Sequence, residues 1–376
     1  MAIGINARQL KEKMDSEKGV LILDLRSSVA YNKWHIEGKQ TESINMQFLK
    51  IKELGSAINK IIPLNKKIVT VCEKGVLAKK AANILEEFGY DVTYLSGGME
   101  EWSEFYEVIP VYDSDLMKLY QIIRPAKGCL SYFIAAGDEA VIVDPSRHTD
   151  IYQELANKLN VSIRHVIDTH LHADHISGGK ILADRTGAKY WIAEEEMLDS
   201  SIKEYTPLPD KKNFRLGYSS LELISIKTPG HTIASTCLLL DNKYLLSGDT
   251  LFVNGVGRPD LKGRAREMSE ILFKTVTNIL NSLKDDLIIL PGHFSHPSEI
   301  NEQGFIGASF ANVKKQTELL SIQDKEEFIS AILERLGETP PNFERIIQIN
   351  QGKYEAVPSE QSELEIGPNL CAVQNR

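Results

Sequence analysis

The chain of 376 residues is poor in cysteine: Cys72, Cys129, Cys237 and Cys371 are its only four, far apart and with no CxxC pair. That argues against a disulfide framework or a zinc ribbon. No apolar run approaches the roughly 18 residues a membrane helix needs. The opening MAIGINARQLKEKMD lacks the apolar stretch of a secretion signal, so a cytoplasmic location is expected. Excess positive charge is missing too, with 43 Lys+Arg against 52 Asp+Glu and a net charge of −9. Neither nucleic acid nor an anionic membrane is therefore an expected partner. There is no internal repeat and no low-complexity segment. What remains is an ordinary globular composition, 42% apolar, on a length that suits two or three domains.

Charge and periodicity divide the chain. Residues 1–110 carry 15 basic and 15 acidic side chains, so the whole −9 belongs to residues 111–376. In the first part short buried runs (VLILDL, ESINM, KIVTV, DVTYLS) alternate with helical stretches such as VLAKKAANILEEF. That alternation predicts an α/β domain, a parallel sheet with helices on both faces. From residue 111 three strand-like runs follow one another (LMKLYQII, CLSYFIAA, EAVIVD), as an antiparallel meander requires. Further strands and helices alternate up to DLIIL, which predicts two sheets flanked by helices over residues 111–296. Residues 297–376 are weakly patterned and read as a helical extension with a tail.

The most informative stretch is THLHADH, Thr169–His175, directly after a buried strand. His170, His172, Asp174 and His175 lie within six residues. Neutral imidazoles and carboxylates are the usual ligands of zinc or iron. Three later segments share one local grammar, a strand ending in a glycine and then a ligand: TPGHT with His231, LLSGDT with Asp249 and IILPGH with His293. Glycine lets the backbone turn tightly enough to aim the next side chain inward.

The series HLHADH…GHT…SGDT…PGH resembles the metallo-β-lactamase superfamily over residues 112–296, which implies an αββα sandwich with metal at the strand ends. HLH rather than HxE argues against the flavodiiron branch. SGDTLFVNGVGRPDL is similar to the corresponding segment of persulfide dioxygenases and glyoxalase II enzymes. The first resemblance implies one Fe(II) per chain held by His170, His231 and Asp249, with zinc as a possible occupant after purification. It also implies that His172, Asp174, His175 and His293 form a second pocket without metal. The second resemblance implies that those four hold a second metal and that the substrate is a thioester. The ligand types leave both open.

In the first domain Cys72 ends the strand KIVTV and precedes a helix, where backbone N–H groups and the helix dipole favour a thiolate. LDLRSSVAYNKWHIEGK and YLSGGMEEW resemble the opening and closing signatures of rhodanese domains. That resemblance makes Cys72 the persulfide-carrying, catalytic cysteine. Leu77 stands where many members have arginine, and Glu73 follows the cysteine. Both weaken anion binding. Cys129 and Cys237, in apolar strand runs, are read as core; Cys371 in GPNLCAV could reach the active site, but the reading as a plain tail cysteine is preferred.

The fusion favours the persulfide branch, because a rhodanese moves the sulfane sulfur that a persulfide dioxygenase consumes. The expected partners are a low-molecular-weight thiol persulfide (coenzyme A, glutathione or bacillithiol type), O₂, and sulfite or thiosulfate; a homo-oligomer is compatible with the sequence. The run RPDLKGRAR offers Arg258, Lys262 and Arg264 as substrate-binding residues, since an arginine fork suits a carboxylate or phosphate. The alternative is a glyoxalase II-like thioester hydrolase whose rhodanese module only docks a sulfur carrier.

Overall fold

The computed structural model describes residues 1–216, 221–260 and 263–374. The chain forms two compact units, the first built mainly of Met1–Tyr106 and the second of the rest.

The first unit holds five strands: β1 (Ile3–Ile5), β2 (Val20–Asp24), β3 (Glu42–Asn45), β4 (Lys67–Val71) and β5 (Asp91–Leu95). They line up as β1-β5-β4-β2-β3, every pairing parallel. All five residues of β2 are buried, which requires cover on both faces. One face packs Leu21, Leu23 and Ile68 against Ile51, Ala78, Ala82 and Leu85. The other packs Val20, Ile22 and Val69 against Leu10, Met14 and Trp102. The helix Ala7–Ser16 starts on an Asn6–Gln9 capping box, which satisfies two otherwise unpaired N–H groups.

The second unit contains the expected sandwich. Its first sheet comprises β6 (Glu107–Asp113), β7 (Lys118–Arg124), β8 (Cys129–Ala136), β9 (Glu139–Val143), β10 (Ser162–Ile167), β11 (Lys189–Ile192) and β12 (Thr206–Pro207), in order β12-β11-β10-β9-β8-β7-β6. The other strands are β13 (Asn213–Arg215), β14 (Glu222–Lys227), β15 (Thr236–Leu240), β16 (Tyr244–Gly248), β17 (Leu251–Phe252), β18 (Gly255–Gly257), β19 (Ile288–Pro291), β20 (Ala308–Ser309) and β21 (Ala372–Gln374). Six of them form the sheet β13-β14-β15-β16-β19-β20, and β17-β18-β21 form a small third one. Between the large sheets, Ile134, Val141, Val143 and Ile167 meet Leu223, Leu238, Leu246 and Leu290. Outside the second sheet, Leu272 and Val276 of the helix Ala265–Asn278 pack with Leu245, Ile289, Phe328 and Ile332.

One boundary moves. Glu107–Asp113, which straddles the expected domain end at residue 110, is strand β6. It pairs antiparallel with β7, so the second unit begins at Glu107. Pro110 interrupts this apolar run and none of its residues is fully buried, so it does not read as a strand in the sequence. No helix among the described residues is long and apolar enough to cross a membrane.

Candidate metal centre

Parallel pairs place the ligand-bearing loops together. β9 and β10 run side by side, as do β16 and β19. Their ends lead into Asp144, Asp168–His175, Asp249 and Gly292–His293, while His231 lies between β14 and β15. The glycines behave as the sequence requires. Gly248 has φ +48°, and a Cβ there would sit 2.5 Å from Thr169 Oγ1. A Cβ on Gly292 would lie 2.5 Å from Asp249 Oδ1.

His170, His231 and Asp249 each offer one atom to a group whose members lie within 4.8 Å of one another. His231 Nε2 is 3.5 Å and His170 Nε2 3.8 Å from Asp249 Oδ2. Ligands about 2.1 Å from one ion are separated by about 3.0–3.4 Å, so each imidazole is within a few tenths of an ångström of a ligating distance from the carboxylate. His170 Nε2 and Asp249 Oδ2 are buried without a hydrogen-bond partner. Buried orphan atoms facing one another suit a shared cation. The tautomers agree. Thr169 Oγ1 donates to Asp144 Oδ2 (2.9 Å), which leaves it to accept from His170 Nδ1 (3.0 Å). The Nδ1–H of His231 donates to the Arg258 carbonyl at 2.8 Å. Each Nε2 therefore keeps its lone pair toward the centre.

Beside this group lies a second one, Cys129, Asp174, His175 and His293. Here several polar atoms engage each other, although His293 Nε2, like His170 Nε2, is buried without a hydrogen-bond partner. His175 Nδ1 is 3.1 Å from Asp174 Oδ1, the Cys129 thiol donates to Asp174 Oδ2 at 3.3 Å, and His293 Nε2 lies 2.7 Å from the same oxygen. His293 Nδ1 reaches Asp249 Oδ1 at 2.7 Å, linking the two groups. His172 sits behind them, its Nε2 3.2 Å from Asp144 Oδ1 and its Nδ1 buried without a partner.

Electrostatics follow from this packing. Burial, with His172 beside it, holds the His170 imidazole well below its usual value. Burial opposes charge on His293 and His175 too, but Asp174 outweighs it and holds both well above the ordinary imidazole value. Asp174 and Asp249 are lowered despite burial, chiefly by His293. The Cys371 thiol is pushed well up by burial and then by Asp174 and Asp249.

Cys129 and Asp144 were not anticipated here, and Cys371 only as the less favoured of two readings. Asp144 ends EAVIVD as Asp249 ends LLSGD, so that signal was available in the sequence. Cys129 carries no mark distinguishing it from a core cysteine. Cys371 groups with Asp249 and His293 because β21 pairs with β18, a long-range contact that local pattern does not reveal. Cys237 is core as read, its thiol pushed up to about 11 by burial.

The expectation for Arg258 is corrected. Its side chain is only 3% exposed, and all five N–H donors are engaged within the protein. Nε and Nη2 fork Asp260 (2.7 and 2.8 Å), while the remaining donors reach the carbonyls of Glu338, Leu370 and Gly337 (2.7, 3.0 and 3.2 Å). No fork is left for a substrate. Arg264 pairs with Glu267 of its own helix, more than half exposed. Lys262 lies outside the described residues.

In the first unit, the Cys72 sulfur accepts the Ala78 N–H at 3.3 Å, closing the loop at the start of the helix Val76–Glu87. Gly75 has φ +79°, and a Cβ there would meet the Ser96 carbonyl at 1.8 Å. Val76 and Leu77 are exposed, and Lys74 is matched by Glu100 at 3.2 Å.

Residues 6–105 match the model of the rhodanese-like domain, and residues 124–293 that of the metallo-beta-lactamase superfamily. The chain is 27% identical over 183 residues to the mitochondrial persulfide dioxygenase ETHE1 of Homo sapiens, 47% of this chain and 68% of that protein. It is 31% identical over 159 residues to the probable hydroxyacylglutathione hydrolase glo2 of Schizosaccharomyces pombe, 40% of this chain and 57% of that protein. A solved metallo-beta-lactamase from Staphylococcus aureus subsp. aureus COL superposes with a TM-score of 0.57 at 25% identity, covering 64% of this chain and 74% of that one.

Proposed function

We propose, for a chain that joins a rhodanese-like domain to a metallo-beta-lactamase superfamily domain, a cytoplasmic persulfide dioxygenase coupled to a sulfurtransferase. The observation that carries this reading is the group His170, His231 and Asp249. Two imidazoles and one carboxylate on one face are the ligand set of non-haem Fe(II) oxygenases, which leave positions open for O₂ and substrate. Similarity to a persulfide dioxygenase and the sulfur-handling partner domain support it.

An Fe(II) bound there would supply O₂ activation and a seat for the terminal sulfur of the persulfide. The chain's own residues do the rest. Thr169 and the Arg258 carbonyl hold the two imidazoles in the ligating tautomer. His293, fixed between Asp249 and Asp174, orients the carboxylate and offers a proton beside it. The buried surroundings of the ligands limit access to the water that the overall reaction consumes. In total, R–S–SH, O₂ and water give R–SH and sulfite with its protons. At Cys72, a persulfide sulfur passes to sulfite, giving thiosulfate and restoring the thiol. Exposed Val76 and Leu77 beside the Cys72 loop, with Lys74 matched by Glu100, weaken anion binding there, so thiosulfate is a poor donor or product and this transfer is slow.

A second reading, a dinuclear thioester hydrolase, is favoured by the group Cys129, Asp174, His175 and His293 and by similarity to a hydroxyacylglutathione hydrolase. Metal content separates the two. The dioxygenase reading expects one ion per chain after loading and chelator wash; two tightly held ions with thioester hydrolysis would replace it.

A further inference from the structure

The C-terminal segment was read from sequence as a loosely patterned extension. Side chains that it contributes, or engages, satisfy backbone groups of both ligand loops. Asn350, at the end of the helix Phe343–Asn350, donates through Nδ2 to the carbonyls of His172 and His175, both at 2.9 Å. Its Oδ1 accepts the Ser177 N–H at 2.9 Å. Glu365, only 1% exposed, accepts the Ile176 N–H at 2.6 Å and is held by Arg147 at 2.9 Å. Four backbone groups of residues 172–177 thus depend on two side chains more than 170 positions away.

Arg258 does the same for the other loop. Its carbonyl takes the Nδ1–H of His231, and its own N–H donates to the Cys371 carbonyl at 2.9 Å. Its guanidinium grips Gly337, Glu338 and Leu370 as well as Asp260. We infer that Arg258 and Asn350 are positioning residues through which the segment Gly337–Cys371 clamps the metal centre. Arg258 fixes the His231 ring through its carbonyl, and Asn350 fixes the loop carrying His172, Asp174 and His175. Asp174 in turn holds His293, and His293 holds Asp249.

The physical reason is that a buried backbone group needs a partner and that a ligand's outer partners fix its tautomer and orientation. The inference rests on the metal-binding role of His231 and Asp249, but not on which reaction the ion serves.

The test uses the full chain and Co(II) as probe, with chelator competition and the visible Co(II) spectrum as readouts. Arg258→Lys keeps the charge opposite Asp260 but cannot span three carbonyls. Asn350→Asp turns two donors into an acceptor facing two carbonyls. Each is expected to lower Co(II) affinity by about 10- to 100-fold, the usual cost of losing an outer partner, and to alter the spectrum. The melting temperature of the metal-free chain should change less than that of the loaded one. The inference is overturned if both variants hold Co(II) as tightly as the unaltered chain with the same spectrum, or if metal-free and loaded forms are destabilised equally. A raised KM for an anionic persulfide in Arg258→Lys, with Co(II) affinity unchanged, would instead restore Arg258 as a substrate anchor. Failure of the dioxygenase reading would leave these metal readouts unaffected, so the two are separable.

Discussion

Asp249→Ala removes the only charged member of the three-ligand group while leaving His170 and His231 in place. Its cost can be worked from what the carboxylate does. Oδ2 is the orphan atom facing both imidazoles, at 3.5 and 3.8 Å. Oδ1 meets His293 Nδ1 at 2.7 Å. A four-ligand structural zinc site contributes about 10–16 kcal/mol, so one ligand averages about 2.5–4 kcal/mol. At 1.4 kcal/mol per decade, the variant should bind its ion roughly 100- to 1,000-fold more weakly. The His293 contact, a charge-assisted hydrogen bond of about 1.5–3 kcal/mol, is lost as well. Part of that is recovered, because His293 keeps Asp174 at 2.7 Å. The metal-free variant should therefore melt somewhat lower yet remain folded, while metal retention collapses. Dialysis against a graded chelator, with metal content measured at each step, reads the affinity directly, and oxygen uptake should vanish in parallel. An Asp249→Ala chain that holds its ion as tightly as the original would refute the assignment of this group.

Other outcomes follow from the same geometry. Cys72→Ser should leave persulfide oxidation near its original rate, since His170, His231 and Asp249 all lie in the second unit. It should abolish sulfur transfer, because a hydroxyl carries no sulfane sulfur; equal loss of both activities would contradict the division of labour. Arg264→Ala should change KM for coenzyme A persulfide by no more than about five-fold, because its exposed guanidinium is already paired with Glu267; a larger, salt-sensitive rise would return it to the substrate site. His165 is half-buried and accepts the Trp191 Nε1–H at 3.1 Å, and burial lowers its pKa. A depressed folded value means that this stabilisation is whole above the ordinary imidazole pKa of about 6.5 and is lost as pH falls through the folded value. Unfolding followed by Trp191 fluorescence should show that loss, and His165→Gln should flatten it.

Much of this architecture is legible in the sequence because its strands are short, apolar and punctuated. VLILD and KIVTV announce a parallel sheet through unbroken burial, and the glycines at 230, 248 and 292 announce ligand turns. The family resemblance then orders the ligands. What escaped notice has a common cause, which is contact between distant positions. β6 is an edge strand interrupted by Pro110, with no residue fully buried. Arg258 looks like a substrate fork until Gly337, Glu338 and Leu370 are folded onto it. The helix Gly179–Thr186 is capped by Gly178, with the Ser177 hydroxyl accepting the Gly179 N–H at 2.9 Å. Cys371 reaches the centre only because β21 closes against β18. None of these pairings has a period that a local window detects.

The most direct test supplies the iron-loaded chain with a thiol persulfide in an oxygen electrode and quantifies the sulfur products. The account predicts one O₂ consumed per persulfide, with sulfite formed in equal amount or trapped as thiosulfate through Cys72. Thioester hydrolysis by the metal-loaded chain, with no oxygen uptake in the presence of persulfide, would contradict it.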